Sequence, residues 1–69
     1  MNIVEASKKA VEENRFIARP LKDGRVYLKI KPTNTPACCI VIDTIENRSC
    51  IRWNPDLDDL TADNWAIVD

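Results

Sequence analysis

The 69-residue sequence contains no histidine and only one glycine, and two of its few aromatic residues are tryptophans. Histidine is the commonest general base in enzymes and the usual activator of serine and cysteine nucleophiles. Its absence favours a binding protein over an enzyme, although chemistry based on carboxylates or lysines stays open. We therefore expect no enzymatic activity and assign no catalytic residue.

The three cysteines form no recognisable disulfide or metal-binding pattern. Their number is odd, and Cys38 and Cys39 are adjacent, so they do not easily bridge each other. Without histidine or paired C-x-x-C spacing, neither a metal site nor another cofactor is expected. No segment resembles a secretory signal and no apolar run is long enough to cross a membrane, so we expect a reducing cytosol.

The length predicts one domain, residues 1–69. A chain of this size buries only about 60% of its unfolded surface, so a monomer would be marginally stable. Small domains gain stability from disulfides, metals or assembly. Because the first two are not expected, the length favours a homo-oligomer.

The charges are unevenly distributed, although the formal net charge is only -1. Residues 15–31 carry six basic side chains and one acidic one, whereas residues 54–69 carry five aspartates and no basic residue. The two halves could pair with each other, within the fold or between subunits, or some arginines could bind an anion. Extended nucleic acid is disfavoured because the basic stretch is short and the chain is slightly acidic.

The hydrophobic pattern predicts an α+β fold, with an N-terminal helix packed on a small antiparallel sheet and a short helical turn before the last strand. The helix is predicted over residues 2–14, with Asn2 as N-cap and Glu5 completing a capping box. Its apolar stripe is narrow and consists of Ile3, Ala6, Ser7, Ala10 and Val11.

Five strands are predicted to follow in an antiparallel meander, at residues 15–20, 25–31, 38–43, 50–53 and 65–69. The apolar run at 38–43 is typical of a central strand. In the second strand Val26, Leu28 and Ile30 are expected on one face. Gly24 is expected to supply a positive φ in the turn before it.

Residues 52–65, RWNPDLDDLTADNW, contain both tryptophans and four aspartates. Asp56 is predicted to cap a short helix, with Asp59 as its reciprocal cap, while Leu57, Leu60 and Ala62 face the core. Trp65 is expected in the core. Trp53 lies at the end of a strand, where both a core position and a platform for stacking a nucleobase stay open.

Three charged residues are candidates for ligand contacts. Arg19 and Arg25 are either solvated or form bidentate contacts to phosphate. Asp59 acts as a cap alone, or also accepts a hydrogen bond from a ligand.

The spacing of Trp53, Asp59, Ala62 and residues 63–68 resembles the C-terminal signature of the phage Thoeris anti-defence 2-like family. The N-terminal helix, the basic strand and the turn at Gly24 are similar to that family too. The family's additional tryptophan is absent from residues 19–22, its serine cap is Asp56, and its Asp-Trp pair is Asn64-Trp65. The chain is also shorter than typical members, so a loop that could roof the ligand pocket is expected to be trimmed.

The resemblance implies a viral or prophage immune-evasion protein that acts in the bacterial host cytoplasm. Family members bind and sequester cyclic ADP-ribose-type messengers, or cyclic dinucleotides, without cleaving them, in pockets between subunits of a homo-oligomer. We expect a dimer or tetramer here, with Trp53 stacking on adenine, Arg19 or Arg25 binding pyrophosphate, and Asp59 binding ribose hydroxyls. Trp65 is a reserve candidate. The alternatives are an anti-CRISPR-type inhibitor that binds a CRISPR nuclease and, less favoured, a structural domain without a ligand.

Overall fold

A computed structural model describes all 69 residues. It confirms the predicted α+β class, with an N-terminal helix, a five-stranded antiparallel sheet and a short helix before the last strand. In chain order the elements are α1 (Ile3–Glu13), β1 (Phe16–Ala18), β2 (Leu28–Lys31), β3 (Ile40–Asp43), β4 (Arg48–Cys50), α2 (Leu57–Thr61) and β5 (Ala66–Val68).

The sheet has the strand order β4-β3-β2-β1-β5. The first four strands form the predicted meander, and β5 pairs with the free edge of β1. The prediction that residues 38–43 form a central strand is confirmed for Ile40–Asp43, because β3 lies between β2 and β4. The middle strand of the five is β2, because β5 adds to the β1 side. Ile17 lies opposite both Ile30 and Ile67, so these residues share one face of the sheet.

Helix α1 begins and ends at the residues that its capping signals predict. The Asn2 side chain accepts a hydrogen bond from the Glu5 N–H at 2.8 Å, and the Glu5 carboxylate accepts one from the Asn2 N–H at 3.4 Å. Asn14 ends the helix in the left-handed conformation, with φ 54°. Local sequence therefore determines both ends of the helix, the first through the capping box and the second through the left-handed Asn14.

The apolar stripe of α1 is narrower than predicted. Ala6 and Ala10 are fully buried, but Val11 is 62% exposed. Successive helical residues are rotated by about 100°, so Val11 lies to the side of a stripe centred on the two alanines. The alanines, which have no bulk beyond Cβ, let the helix pack directly against β1 and β5.

The core is small, and Trp65 is its largest member. It contains Ala6, Ala10, Ile17, Ile30 and Trp65. Trp65 is only 4% exposed, which confirms its predicted core position. Its indole Nε1–H donates a hydrogen bond to the Asp59 carbonyl at 2.8 Å, so the one polar group of the ring is satisfied.

Two local predictions in the closing half are wrong. The strand predicted at residues 50–53 lies at Arg48–Cys50 instead, and Arg52, just after it, has a left-handed backbone with φ 60°. Leu57 and Leu60 point away from the core, with exposures of 73% and 50%. Helix α2 is five residues long and is anchored through Asp59 and Ala62, so the opposite face, with both leucines, is exposed.

The cysteines also differ from expectation. Cys38 and Cys39 are bonded to each other across a cis peptide bond, whereas Cys50 is free and exposed. No group of acidic, histidine or cysteine side chains is arranged to hold a metal ion. Neither helix has the length and apolarity needed to span a membrane.

Truncation of Trp65 tests its role in the core. Trp65→Ala is expected to lower the free energy of unfolding by about 3–5 kcal/mol, because the large buried ring leaves a cavity. That is a large share of the roughly 5–15 kcal/mol typical of domains. Urea unfolding followed by far-UV circular dichroism measures the loss. Leu57→Ala is the control and should change stability by no more than about 0.5 kcal/mol. Equal losses in the two variants would show that Trp65 does not anchor the core.

Candidate functional site

A cavity of about 410 Å³ opens on the face of the sheet that carries Ile30. It forms where the end of β1, the start of β2 and the segment from Trp53 to Trp65 meet. Four of the five predicted site residues line it, namely Trp53, Asp59, Arg19 and Trp65. We call it the Trp53 cavity; its other lining residues are Pro20, Leu21, Tyr27, Leu28, Ile30 and Asn64.

Trp53 lies between the core and this cavity. Its ring is partly buried and meets the Trp65 ring edge to face, with centroids 5.8 Å apart and an interplanar angle of 84°. Its backbone N–H donates to the Cys39 carbonyl at 2.8 Å, which holds the residue beside the start of β3. The ring is therefore fixed in place on the cavity wall and is not enclosed in the interior.

Arg19 and Asp59 form an ion pair within the cavity lining. Arg19 Nη1 donates to Asp59 Oδ1 at 2.9 Å, and Arg19 Nε donates to Asn64 Oδ1 at 3.3 Å. The second carboxylate oxygen of Asp59 accepts the Asp56 N–H at 3.1 Å, which closes the predicted capping box of α2. Arg19 Nη2 has no hydrogen-bond partner, so its two N–H groups remain free to bind a ligand.

The Asp59 carboxylate is held in its charged form. Partial burial works to raise its pKa, but this is outweighed by hydrogen bonds from the Asp56 backbone and the Arg19 guanidinium, which keep the pKa below its usual value. Asp59 is therefore ionised at neutral pH. Arg19 and Asp59 are the only charged residues that line the cavity, so the formal charge of the lining is zero.

Arg25 does not line the cavity. Its guanidinium pairs with Asp23 in the turn before β2 and lies over the Tyr27 ring, 5.5 Å from the ring centroid. Tyr27 does line the cavity, so Arg25 lies one side chain farther out.

Sequence reasoning missed several lining residues. Pro20 and Leu21 occupy the region in which the resembling family carries a tryptophan, and they line the cavity there with apolar surface. Leu28 and Asn64 were also missed. Asn64 could have been identified from the sequence, because it replaces the aspartate of the family's Asp-Trp pair. For Leu28 the sequence predicted only that it shares a face of its strand with Val26 and Ile30.

A second cavity adjoins the first across Leu28. We call it the Val41 cavity; it measures about 520 Å³ and is lined by Leu28, Val41, Asp43, Arg48, Ser49 and Cys50. Helix α1 packs against β1, β5 and α2, so the β2–β4 half of this face receives little cover from it. Leu28, on the central strand between the two cavities, is consequently 50% exposed.

Comparison with known families confirms the resemblance seen in the closing segment. A family model described as Tad2-like, Thoeris anti-defense 2-like domain, matches residues 1–68. The matched range includes every residue that lines the Trp53 cavity. No curated protein and no solved structure matches the chain.

The ion pair predicts a specific loss of stability in acid. A carboxylate whose folded pKa is lowered stabilises the protein above its unfolded pKa, near 3.8, and this stabilisation disappears as the pH falls through the folded value. Between pH 6 and pH 3 the wild type should therefore lose more unfolding free energy than Asp59→Asn. Urea unfolding at the two pH values measures the difference.

Asp58→Asn is the matched control, because the neighbouring Asp58 carboxylate makes no hydrogen bond or ion pair in the structure. It should lose as much stability in acid as the wild type. If Asp59→Asn shows the same loss as well, Asp59 is not a source of the acid sensitivity.

Proposed function

Because the chain belongs to the Thoeris anti-defense 2-like family, whose role is phage evasion of Thoeris immunity, we propose that it binds and sequesters an immune signalling nucleotide without cleaving it. The proposed ligand is a cyclic ADP-ribose-type molecule, with a cyclic dinucleotide as the related possibility. The proposed place of action is the cytoplasm of the bacterial host.

The position of Trp53 on the cavity wall carries this proposal. A cavity of about 410 Å³ lies within the roughly 300–1,000 Å³ typical of small-molecule sites. Stacking of a nucleobase on an aromatic side chain contributes about 1–3 kcal/mol and does not require a particular base. Tyr27, just before β2, and Trp65 are the other two aromatic residues of the same lining.

The polar groups support binding rather than chemistry on the ligand. The one acid and the one base of the lining are paired with each other, and the chain has no histidine to act as a general base. In the proposed complex Trp53 stacks on the base, Arg19 or Arg25 contacts phosphate, and Asp59 lies near the ribose hydroxyls. Trp65 is buried behind Trp53, which supports a structural role for it.

The open side of the cavity supports assembly as a dimer or tetramer. We propose that a second copy packs on the β2–β4 half of the sheet and covers the Trp53 and Val41 cavities together. Leu28 is half exposed at their junction, and large apolar side chains are rarely left exposed in contiguous patches on monomers. In this arrangement the partner completes the binding site.

Thermal denaturation with a nucleotide panel tests the proposed function. A ligand at 100 times its Kd adds about 2.7 kcal/mol of stability, and each kcal/mol raises the Tm of a domain this size by roughly 4–8 °C. We expect such a rise with micromolar cyclic ADP-ribose isomers or cyclic dinucleotides, and intact nucleotide should be recovered after heating. Trp53→Ala should abolish the rise while costing less stability than Trp65→Ala.

Two outcomes would contradict the proposal. Recovery of a cleaved nucleotide would show that the protein is an enzyme. Absence of any shift across the panel, together with co-purification of a CRISPR nuclease from host cells, would favour the alternative of a protein-binding inhibitor.

Native mass spectrometry and light scattering test the proposed assembly. The wild type should be a dimer or tetramer, and Leu28→Asp should be a monomer that no longer binds the nucleotide, because a charge at the junction opposes apolar packing. Ile45→Asp is the control, since Ile45 is 67% exposed in the β3–β4 turn, outside both cavities. A monomeric wild type, or an Ile45→Asp variant that dissociates as readily as Leu28→Asp, would rule out this interface.

A further inference from the structure

We propose that Asp59 is a positioning and specificity-determining residue, which fixes Arg19 and cancels its charge so that the Trp53 cavity rejects polyanionic groups. The cavity would then accept the base and the neutral sugar of the messenger, and the phosphates would lie outside it. This inference rests on the proposed function. It predicts that Arg25, and not Arg19, contacts the phosphates.

The geometry shows why Asp59 acts through Arg19. Both of its carboxylate oxygens already accept hydrogen bonds, one from Arg19 and one from the Asp56 backbone. Its main-chain carbonyl accepts the Trp65 indole N–H. These three bonds fix its position together with a fourth, from the Asp59 N–H to Asp56 Oδ1 at 2.9 Å. Asn64 holds the guanidinium of Arg19 from a second side.

The charges of the lining show why phosphate is disfavoured inside the Trp53 cavity. A dianionic group against the free Nη2 of Arg19 would also face the ionised carboxylate that is 2.9 Å from Nη1. No other cation lines the cavity to compensate for this repulsion. Lys29 donates to the Asp69 carbonyl and lies over the Phe16 ring, and Lys31 donates to Asn14.

The lining is instead suited to a planar, weakly charged group. The free N–H groups of Arg19 and the side-chain amide of Asn64 can donate to a ring nitrogen, a carbonyl or a hydroxyl oxygen. Trp53 and Tyr27 supply aromatic surface on the cavity wall. Phosphates leaving the cavity past Tyr27 would meet Arg25, whose guanidinium lies over that ring. Arg25 is itself paired with Asp23, but this pair is more exposed than the Arg19–Asp59 pair, so water screens its charges more strongly and a phosphate can replace Asp23 more readily.

Titration with inorganic pyrophosphate tests the inference without any knowledge of the messenger. The readouts are tryptophan fluorescence and the Trp65 indole N–H resonance, which lies beside Asp59, at constant ionic strength. Asp59→Asn should bind pyrophosphate at least tenfold more tightly than the wild type. Asp58→Asn makes the same change of net charge outside the cavity and should behave as the wild type.

Two further variants complete the design. Arg19→Gln added to Asp59→Asn should remove the gained pyrophosphate binding, which assigns the gain to the released guanidinium. Asp59→Ser is a second neutral variant, in case the asparagine destabilises α2. If Asp59 had only a structural role, its replacement would weaken binding. A gain of pyrophosphate binding requires the loss of the negative charge that compensates Arg19.

Three results would overturn the inference: pyrophosphate binding by the wild type as tight as by Asp59→Asn, the same gain in Asp58→Asn, or no gain in either neutral variant. Failure of the proposed function is seen separately, as the absence of binding of every messenger in the panel to the wild type. A gain of pyrophosphate binding in Asp59→Asn would stand even then.

Discussion

The hydrogen bond from the Trp65 indole to the Asp59 carbonyl connects the core to the site. It satisfies the only polar atom of the largest buried ring and at the same time fixes α2, a helix of five residues that buries none of its own side chains. Asp59 in turn orients Arg19, while Trp65 supports the ring of Trp53. The walls of the Trp53 cavity are thus held by contacts that extend directly from the core.

Few other buried contacts stabilise the molecule. Only six residues are buried, and they lie mainly between α1 and the β1 side of the sheet. On the β2–β4 half, which α1 does not cover, the sheet carries the Trp53 and Val41 cavities. A fold with this distribution can keep a ligand-sized space open because its packing is concentrated on one side, and that same distribution supports the proposed role of a second copy.

Features determined within a few residues could be predicted from the sequence. Both capping boxes, the turn at Gly24 and the order of helix and strands follow from neighbouring residues, and each is present. The exposure of Leu28 and Leu57 could not be predicted, since it depends on which elements cover the sheet. The meeting of Arg19 with Asp59 spans 40 positions and follows from the pairing of β5 with β1, which no local pattern encodes.

The two alanines of α1 have a consequence for the shape of the Trp53 cavity. They bring the helix so close to the strands that either position would accept a larger side chain only if the whole layer moved outward, taking the adjoining tryptophan with it. Enlarging either alanine would therefore move the Trp65 side of the Trp53 cavity, although α1 lines no part of that cavity.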